Sequence, residues 1–320
     1  MLVLLLLFVS FYSPYMIAAR AFPYDFQGPH YALLSRNALF NANGETPMWL
    51  PQFWGGMSHA AIPETGLYYP FHKLLYAGDE AFPIKRFVWY TLAHILLGAI
   101  GAYRFTRALG CDRFTSVFGG VFFFGCGYLC GHLQHSTIVF QFAWFPWVFN
   151  SLVRSYRRDW LRHTLAAGIL LGLCGLAGSY VVYFAVIGAS TLVVLRALLA
   201  RGDWRRIAGQ AAARIALLGV GYLVISAAVI LPALESGDQY IRGSYDEWFY
   251  PLDLRGVGQI LFPQMGYIGD VTLDQTMFIG IVPLLLASFA LRGRHRAWPL
   301  VLLTAAAIFF ILGFQSSTFI

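Results

Sequence analysis

The chain has 320 residues, 58% of them hydrophobic and only 12% charged, with a formal net charge of +7 and a mean hydropathy of +0.63. Soluble domains carry about 25% charged and about 45–50% apolar residues, so this composition excludes an ordinary soluble domain. A nucleic-acid partner is excluded as well: the basic residues stand in short groups between apolar runs (Arg154, Arg157, Arg158 and Arg162; Arg201, Arg205 and Arg206; Arg292, Arg294 and Arg296), the pattern of cytoplasmic loops.

Met1–Ala19 is the first apolar run. It lacks a basic leader, which favours an uncleaved spanning helix over a cleaved signal peptide, although Ala19-Arg20-Ala21 loosely fits a cleavage site. A polar stretch from Arg20 to Arg86 follows, rich in aromatics (Trp49, Trp54, Tyr68, Tyr69, Phe71) and in turn signals (Pro47, Pro51, Gly55-Gly56, Pro63). A disordered linker is poor in aromatics, so this loop is expected to fold. Gly28–Asn41 reads as a short helix, and Gly66–Tyr76 as an interfacial helix despite Pro70.

Further apolar runs lie at about 86–108, 115–131, 137–153, 164–179, 180–199, 208–232, 276–291 and 297–314. Runs of about 18 apolar residues read as bilayer-spanning helices. The run at 115–131 is rich in glycine (Gly119, Gly120, Gly125, Gly127), which permits close helix packing. A second polar loop occupies about Ala233–Gln275. The reading is an all-α polytopic membrane protein: one transmembrane domain over residues 1–320, about nine spanning helices and two folded outer loops, 20–86 and 233–275. With the amino terminus inside, 15 of the 22 Lys and Arg fall on the cytoplasmic side, whereas only Asp112, Asp159 and Asp203 of the 15 acids do, as the positive-inside rule requires.

The four cysteines (Cys111, Cys126, Cys130, Cys174) lie in or beside apolar runs and read as small buried helix residues without a disulfide framework. His94 is the ionisable side chain deep in a run and reads as a satisfied helix histidine. Polar side chains collect instead in the outer segments: Asp25, His30, Arg36, Glu45, His59 and Glu64, then His132 and His135, then Glu235, Asp238, Arg242, Asp246, Glu247, Asp253 and Arg255. A permeation path would need charges at helix centres, so this distribution favours a site at the outer membrane face. Asp25 follows the first helix closely and reads either as an interfacial general base or as a solvated turn acid. His132 and His135 read as two metal ligands on one turn or as a helix-end pair. Trp49, Trp54 and Trp248-Phe249-Tyr250 read as sugar-stacking groups or as interfacial belt residues. A divalent metal is compatible with the outer acids, but no spacing specifies one, and no other cofactor is indicated.

Several motifs carry a family resemblance. Pro47-Met48-Trp49-Leu50-Pro51-Gln52-Phe53-Trp54-Gly55-Gly56-Met57 resembles the Pro-x-Trp-x-Pro-x-x-x-Gly-Gly-x-Pro segment of the YfhO-like bacterial membrane proteins, glycosyltransferases of the GT-C superfamily. Tyr69-Pro70, Gly131-His132, Trp144-Phe145-Pro146-Trp147, Ala177-Gly178-Ser179 and Leu261-Phe262-Pro263 follow in the family's order. Ser58 stands where the family has proline, and Ser179 where it often has histidine. Family members are longer, which makes this chain read as a fragment or a short reading frame.

The resemblance implies a GT-C-like fold in the bacterial inner membrane, with the amino terminus cytoplasmic. It implies transfer of a sugar from a polyprenyl-phosphate donor to a glycan or envelope-polymer acceptor on the outer face, in contact with membrane lipid. GT-C enzymes carry an acid in the first outer loop, close after the first helix, and Asp25 is the matching position, hence the catalytic candidate. Arg36, Arg242 and Arg255 are the candidates for holding the lipid phosphate, and His30, Trp54, His135, Asp246 and Glu247 complete the substrate-binding set. Two other readings are a lipid-linked sugar flippase and a non-catalytic subunit of an envelope glycan assembly system.

Overall fold

A computed structural model of the chain describes residues 1–17, 20–46, 48–51, 56–77, 82–157, 159–178 and 181–236. The second polar loop from residue 237 onward and the expected spans at 276–291 and 297–314 lie outside the described residues. The described residues are helical apart from turns and one two-residue ladder. In chain order they form α1 (Leu2–Ile17), α2 (Pro29–Ala42), β1 (Trp49–Leu50), β2 (Met57–Ser58), α3 (His72–Tyr76), α4 (Ile84–Leu109), α5 (Arg113–Gly125), α6 (Gly127–Gly131), α7 (Ser136–Phe142), α8 (Phe145–Ser155), α9 (Trp160–Ala177), α10 (Val182–Leu198) and α11 (Trp204–Glu235). Three helical stretches, Arg113–Gln134, Trp160–Ala177 and Trp204–Glu235, are long and apolar enough to cross a membrane. The chain divides into two compact units, the first made of Met1–Phe124, Leu133–Val186 and Ala216–Ile241, the second of Gly125–His132, Ile187–Ile215 and Arg242–Ile320.

In the first unit α8 packs against both α4 and α9. Helix α1 buries the stripe Leu4, Phe8 and Tyr12, spaced one turn apart. Phe8 meets Phe124 edge-on at 5.5 Å between ring centres. The Tyr12 hydroxyl donates to the Phe124 carbonyl at 2.9 Å, near the end of α5, where carbonyls have lost their helical partners. The rest of α1 exposes Leu2, Val3, Leu5, Leu6, Leu7, Val9 and Phe11, and α5 exposes Phe114, Phe118 and Phe122. An outward face in water is normally polar; these are apolar.

The expected runs and the observed helices differ at three places, each with a local cause. The run at 137–153 is two helices, because Pro146 has no N–H to give to the Phe142 carbonyl and its ring crowds that turn, so α7 ends there and α8 starts with proline in its first turn. The run at 115–131 breaks at Cys126, whose ψ of 148° is extended, between Gly125 and Gly127. Gly119 and Gly120 within that run do permit close packing: a Cβ there would stand 2.7 Å from Thr106 and from Leu4 respectively. In the segment Gly66–Tyr76 only His72–Tyr76 is helical. Gly66 has a left-handed φ of 59°, and Pro70 biases Tyr69 away from helical geometry, so two successive turns close there, Tyr69 N–H on Gly66 at 2.9 Å and His72 N–H on Tyr69 at 3.1 Å. The short helix expected over Gly28–Asn41 is α2.

Helix α4 ends at Gly110, φ 101°, with Gly110 N–H on the Arg107 carbonyl and Cys111 N–H on that of Thr106, a left-handed glycine cap. Asp112 then caps α5, its carboxylate accepting the Thr115 N–H at 2.9 Å and hydroxyl at 2.7 Å. Cys174 is buried and the other three cysteines are half-buried; all four are free thiols.

Between α9 and α10 the chain turns at Gly178. Buried Gln141 of α7 reaches this turn: its Oε1 accepts the N–H groups of Val181 at 3.1 Å and Val182 at 3.2 Å, and its Nε2 donates to the Thr137 carbonyl at 3.1 Å. Gln141→Leu leaves two buried donors without an acceptor and is expected to lower stability by about 2 kcal/mol or more. The check is a lowered melting temperature in detergent; an unchanged one contradicts this role.

In the second unit, α6 leads into a 3-10 turn in which the His132 ring stacks on Tyr128 at 4.3 Å and its Nδ1–H donates to the Tyr128 carbonyl at 2.8 Å. At the start of α11, Asp203 Oδ1 accepts the Arg205 N–H at 3.0 Å. Arg214, about three turns into that helix, is buried and donates to the Gln210 carbonyl at 3.2 Å. Arg214 is thus a second ionisable group within an apolar run, in addition to His94.

Candidate functional site

Asp25 is held by its neighbours rather than by its own bonds. After α1 the chain buries Phe22 and Phe26, edge to face at 5.0 Å, and Phe26 stacks on Phe87 of α4 at 4.2 Å. Between these two anchors Tyr24–Phe26 make one 3-10 turn. The Tyr24 carbonyl accepts the N–H groups of Gln27 at 3.0 Å and Gly28 at 3.2 Å, and the Gln27 side-chain amide donates back to the Phe22 carbonyl at 2.9 Å. Tyr24 adopts φ 53°, rare for an aromatic residue and kept only where surrounding structure imposes it. The Asp25 side chain, 52% exposed, emerges from this braced turn.

His30 sits in the first turn of α2, directly after Pro29, whose fixed φ suits a helix start. The next residue, Tyr31, donates its hydroxyl to the Phe82 carbonyl at 2.7 Å, tying α2 to the segment before α4. His135 is the cap residue before α7, and its carbonyl accepts the N–H groups of Ile138 at 3.0 Å and Val139 at 3.2 Å. These elements bring the three side chains together: His135 Nδ1 lies 3.5 Å from Asp25 Oδ2, and the His30 and His135 rings meet at right angles with centres 6.1 Å apart. One ligand-type atom from each of Asp25, His30 and His135 lies within 4.8 Å of the others. Burial chiefly, and His135 secondarily, lower the His30 pKa to about 4 against the opposing pull of Asp25. His30 is therefore a neutral imidazole at pH 7, with one ring nitrogen free to accept or to bind a cation.

Of the other expected site residues, Arg36 does not join this group; it lies over the Phe40 ring, 4.9 Å from its centre. Trp54, Arg242, Asp246, Glu247 and Arg255 lie outside the described residues. His132, paired in the sequence with His135, is bonded to Tyr128, whereas His135 lies against Asp25 and His30.

Around His94 the structure forms a buried aromatic and histidine network that also takes in Tyr69 and Trp144 of the sequence motifs. Trp144 Nε1–H donates to the Tyr69 hydroxyl at 2.9 Å, and Tyr69 lies 2.8 Å from His94 Nε2. His94 Nδ1 is 3.0 Å from the Tyr90 carbonyl, which can only accept, so the proton sits on Nδ1 and Nε2 takes the Tyr69 hydroxyl. His72 Nδ1 meets the Tyr90 hydroxyl at 2.9 Å. This network fastens the loop carrying Tyr69 and α3 to α4 and α8, a structural role for His94. A separate shallow concavity is lined by Asn37, Asn41, Glu45, Tyr69, His72 and Lys73 among others, with Lys73 Nζ donating to Asn41. None of Asp25, His30 and His135 lines it.

No protein-family model matches the chain, and no curated protein or solved structure matches it either.

Proposed function

We propose that this chain is a polytopic membrane glycosyltransferase of the GT-C kind, moving a sugar from a polyprenyl-phosphate donor to an acceptor hydroxyl at the outer membrane face. The observation that carries the reading is the half-exposed Asp25 carboxylate, fixed on a braced turn just after α1 with His135 and His30 beside it. The apolar outward faces of α1 and α5 and the three membrane-length stretches support a bilayer setting, and the YfhO-like motifs of the sequence support the class of chemistry.

In this reaction the acceptor oxygen attacks the anomeric carbon while the bond from that carbon to the phosphate oxygen breaks. The bonding pair leaves on the lipid phosphate, and the acceptor proton passes to Asp25. A carboxylate in this place works as base and as orienting group, with His135 Nδ1 lying 3.5 Å from one of its oxygens. The phosphate is already a good leaving group and needs chiefly charge stabilisation, for which arginine's planar fork is suited.

The test is direct. Purified protein in lipid nanodiscs is given radiolabelled polyprenyl-phosphate sugars and membrane glycan acceptors, and labelled product is sought. Transfer supports the reading. Movement of intact donor across proteoliposomes without transfer points to a flippase instead and overturns it.

A further inference from the structure

We infer that Asp25, His30 and His135 form a binding site for one first-row divalent transition-metal ion, with zinc the best match in chemistry. The inference stands on geometry alone and holds whatever reaction the chain performs. Three donors from three separate elements converge: the turn after α1, the first turn of α2 and the cap of α7. Asp25 and His135 are 110 positions apart in the chain, yet their ligand atoms and that of His30 share a sphere of 4.8 Å.

The donor set decides the ion. Two imidazole nitrogens and one carboxylate oxygen are the ligands of zinc sites that keep an open position, and of related iron and cobalt sites. Calcium takes about six to eight oxygens, and magnesium prefers an oxygen octahedron rich in water, so neither suits two imidazoles. Tetrahedral zinc with ligands at about 2.0–2.2 Å sets its donors about 3.3–3.6 Å apart. The Asp25–His135 separation of 3.5 Å already matches; the widest separation, up to 4.8 Å, needs about 1 Å of side-chain adjustment. Exposed Asp25 leaves an entry path, and the half-buried histidines leave a fourth position for water or an anionic oxygen. A carboxylate bound through one oxygen keeps the other free, so ligation is compatible with a hydrogen bond from an acceptor hydroxyl.

The chain, purified in detergent without a polyhistidine tag and stripped with chelator, is titrated with Zn²⁺ by calorimetry and with Co²⁺ by visible absorption. One ion per chain is expected, with a tetrahedral Co²⁺ spectrum and no displacement by excess Mg²⁺ or Ca²⁺. His30→Ala, His135→Ala and Asp25→Asn are each expected to weaken Zn²⁺ by more than about 100-fold, because changes in the outer shell alone cost about 10–100-fold, while His132→Ala is expected to bind as the parent does. Zn²⁺ is also expected to raise the melting temperature of the parent and of His132→Ala, and not that of the other variants. Absence of a saturable site in the parent protein overturns the inference, as does unchanged affinity in His30→Ala and His135→Ala. Should the alanine variants fail to melt cooperatively, His135→Gln and Asp25→Asn carry the same comparison at nearly constant volume. The titrations use no sugar donor, so their failure and failure of the transferase reading are seen separately.

Discussion

Asp25→Asn is expected to slow sugar transfer by about 10²–10⁴-fold, the usual contribution of a positioned acid or base, while leaving membrane insertion and thermal stability close to the parent. The split between the two readouts follows from the site. Asparagine has nearly the same shape, and the turn carrying residue 25 is fixed by Phe22, Phe26 and Gln27 rather than by the carboxylate. What is lost is a 3.5 Å contact to His135 from a side chain more than half exposed; even fully ionised surface pairs contribute only about 0–1 kcal/mol. Of the groups beside the carboxylate, His30 is depressed to about 4 by burial and is therefore a weak base. Transfer at the parental rate by a properly inserted Asp25→Asn protein removes this carboxylate from the reaction. Loss of transfer accompanied by a large fall in melting temperature would instead make Asp25 a structural residue.

Gly168→Leu is expected to cost about 3 kcal/mol of stability, read as a lowered melting temperature and reduced yield of folded protein. A Cβ built on Gly168 would stand 2.9 Å from the Leu218 carbonyl oxygen and 3.1 Å from the Gly221 Cα; one built on Gly221 would stand 2.9 Å from the Gly168 Cα. These neighbours are backbone atoms, so no rotamer change relieves the clash and α9 must move away from α11. Separation then affects the contacts further along, where Gly172 faces Ile225 and the Ser226 hydroxyl donates to the Gly172 carbonyl at 3.2 Å. Even Gly168→Ala is expected to destabilise: replacing glycine in a helix gains about 0.5–1 kcal/mol, against about 1–3 kcal/mol for overpacking. Gly219 supplies the control, since nothing lies within 4 Å of its Cβ position; Gly219→Ala is expected to be neutral or stabilising. Equal effects at the two positions would show that close approach at Gly168 is not what holds these helices.

The spacing Gly168-x-x-x-Gly172 is a small-residue packing motif, but spacing alone does not say which helix it meets. Glycine at 119 and 120 carried the same signal and does pack closely, whereas Gly125 and Gly127 flank a helix break. Glycine permits both outcomes, and only neighbouring atoms choose between them. The break at Pro146 has a local cause, proline's missing N–H, which the reading of 137–153 as one span did not use.

Composition and the length of the apolar runs were enough to fix a helical chain with membrane-length segments, because desolvating backbone amides in a long apolar stretch leaves only the helix to satisfy them. Nearness to the end of α1 singled out Asp25 in the same local way, and His30 and His135 stood in the outer polar inventory. What the sequence did not contain is that these three meet, or that His135 faces Asp25 and His132 faces Tyr128. Residues 25 and 135 are brought together through the packing of α1 and α7 on α4, and contacts of that kind depend on helix rotations and crossing points set by all the side chains together. Tertiary structure alone decided which polar groups became neighbours.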